Sequence, residues 1–449
     1  MKLFESAWQE DWEFYERVLN TETNKSEKRK IDKQHEFFVP KTTGLYSYML
    51  DDTVKLDKQY GSSKAGRDKF GLSSPIEHHI RDEYWNEDSS KVLYNTNPRI
   101  WYIDIETRVG LSYKYPTTNK KVKIRIENKE QETTVDKLRE IFYDNSKYKS
   151  FEYFNEIENK WESLQLARFM ERNSGFPVPE KALEEISMFQ ILDNTDNIMY
   201  LFGTKDWKYQ DLYLKYGDSA KFLKEHQQES ELPFEVKYVN CGNEISLIKT
   251  FMKLIKDKDP LILLAWNGSG FDYPYIHNRV KNLGLDVTEL SNYGSVSYSE
   301  REFKGLKEFK VDVKGHYWLD LKDIYKKFVF KNHSNYSLNT ISYETLGDTK
   351  VQHSEYSKFD DFYTGVYNRP TNPTDEQLKM QIYHDSLEDK DTTDLSHSEF
   401  VWYGLKDTWL LKRINERMKL TDVMIDMIKR TGTQLPDTLG TVRMWGQYL

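Results

Sequence analysis

The sequence predicts an α/β protein with a β-rich unit at its amino end, and two observations support this prediction. From about residue 98 onward, short apolar runs of strand length alternate with segments of helical spacing. Residues 1–97 instead contain strand-like runs joined by polar turns, as in VLNTETNKSEKRKIDKQHEFFVP, and residues 63–92 are polar and turn-rich. A chain of 449 residues is long enough for two or three domains.

Composition excludes several classes of protein. The single cysteine, Cys241, excludes an intrachain disulfide framework and a cysteine-based zinc cluster. The formal net charge of -8 argues against a protein that coats duplex DNA through its overall field, although it allows local contact with nucleic acid. The start, MKLFESAWQEDWEFYERV, has acids where a signal peptide needs a basic and then an apolar run, and no long apolar stretch follows. We therefore expect a cytoplasmic protein without a membrane segment.

The α/β region can be followed element by element. RIWYIDIE is a strand, and SMFQIL and IMYLFG form a hairpin around the turn Asp193–Asn197. NEISLIKTFMKLIKDK has helical spacing with Asn243 as its N-cap, and PLILLAWN is a short apolar strand that enters a glycine-rich turn. The remaining helices are predicted in DYPYIHNRVKNLGL, WLDLKDIYKKFVF, YSLNTISYETLG and FVWYGLKDTWLLKRINERMKLTDVMIDMIKR.

The stretch WYIDIET places two acids where a buried strand would have valine or isoleucine. Because strand side chains alternate between faces, Asp104 and Glu106 point the same way while Ile103 and Ile105 point the other. Like charges at this spacing repel unless a cation lies between them, and a divalent ion with oxygen ligands is the usual one. Taken alone, an acid-x-acid triplet in so acidic a chain is also explained by chance.

Two further acids lie in recognisable settings. Asn267, Phe271 and Asp272 form N-x-x-x-F-D at the end of the apolar strand, where Asp272 alone is equally explained as a helix cap. Tyr403 and Asp407 are four residues apart on one predicted helix and share a face, although an exposed tyrosine beside a solvated acid would show the same spacing.

The order of these three elements resembles the three motifs of the DnaQ-like 3′-to-5′ exonucleases, in the DEDDy subtype with tyrosine in the last motif. More closely, the chain is similar to the N-terminal and exonuclease half of a family B replicative DNA polymerase of the T-even phage type. EFFVPKTTGLYSYM, WNGSGFDYPYIHNRVK, LDLKDIYKKFVF, YSLNTI and LPDTLGTVRMWGQYL match that family's pattern in the same order. The resemblance implies an N-terminal domain at residues 1–97. It also implies an RNase H-like exonuclease domain with a central mixed β-sheet flanked by helices at 98–419, and a helical segment at 420–449 that returns to the N-terminal domain.

The resemblance also implies roles for the motif residues. Two divalent ions, Mg²⁺ or Mn²⁺, would activate a water and stabilise the leaving 3′ oxygen. Asp104 would bridge both ions, Glu106 and Asp407 would hold the ion that activates the water, and Asp272 would support the second ion. Tyr403 would orient the nucleophile.

The resemblance also implies two features that act on the DNA substrate. Asn267 and Phe271 would guide the unpaired 3′ end, with aromatic stacking that tolerates any base. A hairpin at about 297–313 stands where the family has its strand-separating hairpin. Its tip is formed by Lys304, Gly305, Leu306 and Lys307.

The implied function is that of a proofreading 3′-to-5′ exonuclease acting on single-stranded or frayed primer DNA. No D-x-x-S-L-Y-P or Y-x-D-T-D-S run occurs, so we do not expect the chain to polymerise DNA by itself. The expected partners are primer-template DNA and a polymerase chain with palm, fingers and thumb, which would also reach a sliding clamp. The expected site of action is the cytoplasm of an infected bacterium. A split gene and a part of a longer polymerase both fit. A free-standing nuclease and a non-catalytic DNA- or RNA-binding subunit are the competing functions.

Residues 108–174 form an insertion without a counterpart in the resemblance. Its first part is rich in lysine, and its later part, DKLREIFYDNSKYKSFEYFNEIENKWESLQLARFMERN, has helical spacing with many aromatic residues. A basic arm that contacts the DNA backbone or the polymerase chain is one interpretation, and a solvated insertion is the other. The last segment, LPDTLGTVRMWGQYL, likewise fits docking to another chain or packing onto the N-terminal unit.

Overall fold

The structure is a computed structural model, and it describes most of the chain. The described residues are 1–32, 35–41, 43–44, 46–48, 51–61, 75–85, 94–108, 121–126, 129–134, 150–155, 159–165, 177–208, 232–303, 306–351, 359–364 and 392–440.

The described residues form strands and helices in the order that the sequence predicts for most of the chain. The strands are β1 Lys2–Glu10, β2 Glu13–Asn20, β3 Lys25–Ile31, β4 His35–Pro40, β5 Tyr46–Tyr48, β6 Asp51–Gly61, β7 Ile100–Thr107, β8 Lys121–Ile126, β9 Lys129–Thr134, β10 Ser150–Asn155, β11 Lys160–Gln165, β12 Ile186–Asp193, β13 Ile198–Gly203, β14 Glu235–Asn240, β15 Ile262–Ala265, β16 Val296–Phe303, β17 Leu306–Val313 and β18 Tyr317–Asp320. The α-helices are α1 Pro75–Glu83, α2 Glu244–Lys258, α3 Asp272–Asn282, α4 Leu321–Phe328, α5 Leu338–Leu346, α6 Phe359–Thr364, α7 Thr392–Met418 and α8 Leu420–Thr431, and 3-10 helices occupy Val287–Leu290 and Leu435–Leu439.

A six-stranded mixed sheet forms the centre of the α/β region, in the order β14-β13-β12-β7-β15-β18. β12 pairs antiparallel with both β13 and β7, as the predicted hairpin requires, while β7, β15 and β18 run parallel. The carboxyl ends of these three parallel strands therefore meet at one edge of the sheet. The predicted α/β class with a central mixed sheet is confirmed.

The two faces of this sheet are covered by different helices. On one face Ile103 packs in an apolar core with Leu247 and Phe251 of α2 and Ile276 of α3. On the other face Tyr102 packs in a second core with residues of α7. Alternation along β7 thus assigns each side chain to one of the two layers. Asn243 caps α2 as predicted, since its side chain accepts a hydrogen bond from the N–H of Ser246.

The amino-terminal residues form two three-stranded sheets, β1-β2-β3 and β4-β6-β5. The turn-rich interpretation of residues 63–92 was wrong for Pro75–Glu83, which is helix α1. Pro75 at the first helical position is tolerated there because that position donates no intrahelical hydrogen bond. Ile80 of α1 is buried, and this burial supplies the stability that a nine-residue helix lacks by itself.

The carboxyl end contacts the amino-terminal unit. The indole N–H of Trp85 donates to the carbonyl of Lys429 at 3.0 Å, and the backbone N–H of Ala7 donates to Gln434 Oε1 at 2.8 Å. Leu435 is buried at 3% exposure. Of the two interpretations of the last segment, packing onto the amino-terminal unit is therefore observed for residues up to 440, while 441–449 lie outside the described residues.

The insertion carries a four-stranded sheet in the order β11-β10-β8-β9. The helical prediction for its later part was wrong at residues 150–155 and 160–165, which are strands β10 and β11. In β10 Tyr153 is buried, while the side chain of its neighbour Glu152 pairs with Arg125 at 3.0 Å. Neighbouring side chains therefore point to opposite faces, as in a strand.

The predicted hairpin at about 297–313 is formed by β16 and β17, which pair from Val296 with Val313 to Phe303 with Leu306. Of its predicted tip, Lys304 and Gly305 lie outside the described residues, whereas Leu306 and Lys307 begin β17. In the part of the chain that the structure describes, every helix is too short or too polar to cross a membrane.

Candidate active site

Strand β7 carries the first two acids of the site. IWYIDIET is rich in β-branched and aromatic residues, which favour a strand between two packed layers. Asp104 and Glu106 lie on the same face as Tyr102, opposite Gln190 and Met188 of β12 in the antiparallel register. That face is covered by α7, so both carboxylates point toward this helix.

Helix α7 brings Tyr403 and Asp407 to the carboxylates. The helix packs across β7 and β12, and Gly404 faces the sheet. A Cβ at Gly404 would lie only 2.2 Å from Gln190 Nε2 and 2.7 Å from Met188 Cε, so a larger residue there would require the ends of these two side chains to move. Tyr403 and Asp407 share the face that looks toward the sheet, as their spacing predicts.

Three carboxylates converge between β7 and α7. Asp104, Glu106 and Asp407 each offer an oxygen within 4.8 Å of the others. Asp272, the first residue of α3, joins them, because its charge is the second-largest cause, after burial, of the raised pKa of Asp104. All four predicted acids therefore meet, although they come from one strand and two helices.

Burial and mutual repulsion raise the pKa of these acids. For Asp104 the largest cause is burial, followed by the charges of Asp272, Glu106 and Asp407. Burial and Asp407 raise the pKa of Glu106 well above its usual value, and burial raises the pKa of Asp272 to about 7. The group therefore keeps protons near neutral pH unless a cation replaces them.

Lys350 provides one positive charge beside this group. Its ammonium nitrogen lies 2.6 Å from Asp407 Oδ2 and donates to the Tyr403 hydroxyl at 2.7 Å. Burial lowers the pKa of Lys350, but Asp407, Tyr403 and Asp104 outweigh it and the net pKa is raised well above the usual value. Lys350 is therefore charged.

Tyr403 is held as a neutral phenol. Burial and the charge of Asp407 raise its pKa well above the ordinary value, and the Lys350 ammonium offsets this only in part. Because the Tyr403 oxygen accepts the hydrogen bond from Lys350, the phenol keeps its own proton for donation. This arrangement suits a group that orients an oxygen of substrate or water and does not remove its proton.

The turn between β15 and α3 positions Asn267 and Phe271. Asn267 adopts a left-handed conformation with φ of 67°, and a Cβ on the next residue, Gly268, would lie 2.7 Å from the ring of Tyr273. Phe271 is the N-cap residue of α3 and makes no side-chain cap hydrogen bond, and Asp272 is the first residue of the helix. The ring of Phe271 packs 5.3 Å from that of Tyr275.

A fifth buried acid, Asp320, supports this turn from the end of β18. Its carboxylate accepts hydrogen bonds from the backbone N–H of Asn267 at 3.1 Å, Ser269 at 3.2 Å and Lys322 at 2.9 Å. Burial and the charge of Asp323 raise the pKa of Asp320 to about 6. Lys322 donates to Asn267 Oδ1, which leaves the amide nitrogen of Asn267 as its donor toward a ligand.

The donor set fits hard divalent cations. All four groups are carboxylates, which Mg²⁺ and Mn²⁺ prefer over the nitrogen and sulfur ligands of softer metals. Glu106 Oε1 and Asp272 Oδ1 are buried and accept no hydrogen bond from any described residue. Oxygens in this state are costly unless a cation or water occupies them.

Residues 89–341 match the family described as DNA polymerase family B, exonuclease domain. The chain belongs to this family. The enzyme class that follows from this membership is a 3′-to-5′ exonuclease. The matched range contains Asp104, Glu106 and Asp272, whereas Lys350, Tyr403 and Asp407 lie beyond it and enter the site by their position in the structure.

Phage and archaeal polymerases are among the relatives of this exonuclease domain. The chain is 25% identical over 313 residues to the DNA-directed DNA polymerase of Escherichia phage RB69, which covers 66% of this chain and 30% of the relative. It is 31% identical over 174 residues to the DNA-directed DNA polymerase of Enterobacteria phage T4, which covers 37% of this chain and 19% of the relative. The DNA polymerase of Thermococcus hydrothermalis is 28% identical over 173 residues, 38% of this chain and 10% of the relative. The chain spans less than a third of the length of these relatives.

The sequence analysis missed Lys350, Asp320 and Lys322. Asp320 had a detectable signal, because a polar residue at the carboxyl end of a parallel strand lies at the edge where Asn267 also lies. Lys350 had no such sequence signal. It lies in the polar stretch DTKVQH, about fifty residues before Tyr403 and Asp407, and no motif connects it with them.

Proposed function

We propose that this chain is the proofreading module of a phage replicative polymerase and hydrolyses the 3′-terminal phosphodiester of single-stranded or frayed primer DNA. The observation that carries the proposal is the convergence of Asp104, Glu106, Asp272 and Asp407 beside a neutral Tyr403 and a charged Lys350. Membership of the exonuclease family and the phage relatives support the choice of DNA as substrate.

We further propose that the four carboxylates hold two divalent ions, Mg²⁺ or Mn²⁺. When bound, such ions lower the pKa of the attacking water and stabilise the charge on the phosphate and the leaving oxygen. Asp104 lies within 4.8 Å of Glu106 and Asp407 and is coupled by charge to Asp272, which supports the proposal that it would serve both ions.

The other residues of the site act on substrate and water. The Tyr403 phenol donates a hydrogen bond that orients the attacking oxygen, because it stays protonated and is fixed by Lys350. The Lys350 ammonium adds positive charge beside the phosphate. Asn267 donates from its amide and Phe271 offers an aromatic face to the last bases, which gives a grip on single strands without sequence preference.

The surrounding domain division is part of the same proposal. We assign residues 1–97 to a polymerase N-terminal domain, 98–419 to the exonuclease domain and 420–449 to a returning helical segment. Primer-template DNA and the polymerase portion of the enzyme are the proposed partners, and the host-cell cytoplasm is the proposed site of action in view of the phage relatives. Because neither polymerase motif run occurs in the chain, we propose that it does not extend primers alone.

We also propose that β16 and β17 form the strand-separating hairpin. These two strands pair with each other as a separate two-stranded sheet among the described strands. Deleting Lys304–Lys307 is expected to slow 3′ removal from a mismatched duplex end but not from a single strand. If the deletion changed the rate of 3′ removal by the same factor on the mismatched duplex and on the single strand, this role would be contradicted.

The deciding experiment uses the full chain with 5′-labelled single-stranded DNA and Mg²⁺. A ladder that shortens from the 3′ end is expected, and Asp104→Ala and Asp407→Ala should abolish it while their circular dichroism stays native. A mismatched primer end should be shortened faster than a matched one, and no extension should occur with deoxynucleotides. The absence of a ladder with both Mg²⁺ and Mn²⁺ would overturn the proposal.

A further inference from the structure

Gln190 is a buried amide whose hydrogen bonds are not satisfied. It has 0% exposure in the middle of β12, and neither its Nε2 nor its Oε1 has a hydrogen-bond partner among the described residues. A buried amide without partners loses the hydrogen bonds that it makes to water in the unfolded chain, so such groups are rare. Packing does not explain why this position has an amide, because an apolar side chain of the same length would fill the same space without leaving polar atoms unpaired.

The place of Gln190 connects it with the carboxylates. In the register of the sheet it lies directly opposite Asp104, and Met188 lies opposite Glu106. Side chains directly opposite on neighbouring antiparallel strands have Cβ atoms about 4.5–5.5 Å apart. Phe189 and Ile191 pack in the core on the other face, so Gln190 points toward the same side as Asp104.

The helix above closes the remaining side of this space. The Gln190 Nε2 atom lies against Gly404, at 2.2 Å from the position that a Cβ would take. Gly404 is adjacent to Tyr403 and three residues before Asp407 on α7. The amide is thus enclosed between the strand that carries Asp104 and the helix that carries Asp407.

We propose that Gln190 is a positioning residue, whose Nε2 donates a hydrogen bond to a carboxylate oxygen of Asp104 in the cation-loaded site. This inference rests on the proposed function. A donor behind a ligating carboxylate fixes its orientation, and partners of this kind commonly change metal affinity or activity by 10- to 100-fold. A neutral amide supplies this donor without adding charge to a group of four acids.

The test compares Gln190→Met with the native full chain. Methionine has a similar length and no N–H donor, so the core stays filled. We expect a melting temperature that is unchanged or higher, Mn²⁺ binding about tenfold weaker by electron paramagnetic resonance, and a lower kcat with an unchanged KM for single-stranded DNA. Met188→Leu is the matched control, because it alters packing in the same layer without altering a donor, and it should leave Mn²⁺ binding unchanged.

Native Mn²⁺ affinity in a folded Gln190→Met protein would overturn the inference and leave the proposed function standing. Equal loss in Gln190→Met and Met188→Leu would also overturn it, because packing would then explain both. If Gln190→Met does not fold, Gln190→Asn keeps an amide in the layer but shortens it by one methylene, and the same loss of Mn²⁺ affinity is expected. A native chain that binds no Mn²⁺ would overturn the proposed function together with this inference.

Discussion

The Lys350 ammonium lies 2.6 Å from Asp407 Oδ2 and donates to the Tyr403 hydroxyl at 2.7 Å, so one side chain fixes two residues that share a face of α7. The same charge opposes the repulsion among the carboxylates, since it lowers the pKa of Asp104 and Glu106. Lys350 therefore connects the orientation of Tyr403 with the ionisation of the cluster.

Replacing Lys350 with methionine is expected to lower the kcat for 3′ nucleotide release by about a hundredfold, because a preorganised donor and positive charge are lost. Mn²⁺ binding should not weaken, since a positive charge that repels the cation is removed. Single-turnover kinetics and Mn²⁺ titration measure the two quantities. Lys331→Met, which breaks the pair of Lys331 with Glu344 at 2.9 Å, is the control and should change neither. A Lys350→Met protein with native kcat would exclude a role for Lys350 in the reaction.

Asp104→Asn is expected to separate stability from activity. The variant should lose about a thousandfold in kcat, because a ligand that contributes several kcal/mol is removed. In EDTA it should melt a few degrees higher than the native chain, because burial and three neighbouring acids raise the pKa of Asp104, so folding must suppress an ionisation that the unfolded chain allows.

Adding Mn²⁺ should reverse this order of melting temperatures. A cation at 100 times its Kd stabilises the native chain by about 2.7 kcal/mol, and the variant should gain little of this. Asp426→Asn, at a side chain that is 67% exposed, is the control and should behave as the native chain in both buffers. A lower melting temperature of Asp104→Asn in EDTA would show that the acids do not repel one another.

Asp320→Asn is expected to raise the KM for single-stranded DNA by about tenfold while Mn²⁺ affinity stays native. An amide oxygen cannot replace a carboxylate that accepts three backbone hydrogen bonds, so the turn that holds Asn267 loosens. Asp286→Asn is a matched control, because Asp286 accepts from the N–H of Thr288 in the same way at a different turn. An unchanged KM would show that the turn keeps its shape without Asp320.

The four acids of the candidate site could be found in the sequence because each motif is local. Alternation placed Asp104 and Glu106 on one face, and the four-residue spacing placed Tyr403 and Asp407 on another, so only the meeting of the two faces depended on the fold. Lys350 and Gln190 could not be predicted, because each reaches the site through a contact with a residue far along the chain and belongs to no motif.

The errors in the fold prediction have a common physical reason. In β10, SFEYFN shows both an alternating and a helical arrangement of aromatic residues over so short a length, and pairing with β8 and β11 decides between them. Helix α1 was missed because residues 63–92 are mostly polar, and its one apolar pair, Ile76 and Ile80, becomes informative only when the fold buries it.

His316 is expected to make the stability of the chain depend on pH. Its Nδ1–H donates to the carbonyl of Pro260 at 2.6 Å and its Nε2 accepts from the N–H of Asn292 at 3.3 Å, which together require the neutral ring. Burial and the charge of Arg17 lower the pKa of His316 to about 3, although Glu5 opposes this.

Because the unfolded chain binds a proton at His316 near pH 6.5 and the folded chain does not, the stabilising contribution is complete above pH 6.5 and is lost as the pH falls toward 3. The loss is about 1.4 kcal/mol per pH unit, or about 2 kcal/mol at pH 5. His316→Gln removes the titrating group. Between pH 7.5 and pH 5, the free energy of unfolding measured with urea should therefore fall by about 2 kcal/mol less in this variant than in the native chain. The comparison at pH 7.5 gives the cost of the substitution itself, and parallel slopes for both proteins would show that His316 is protonated in the folded chain.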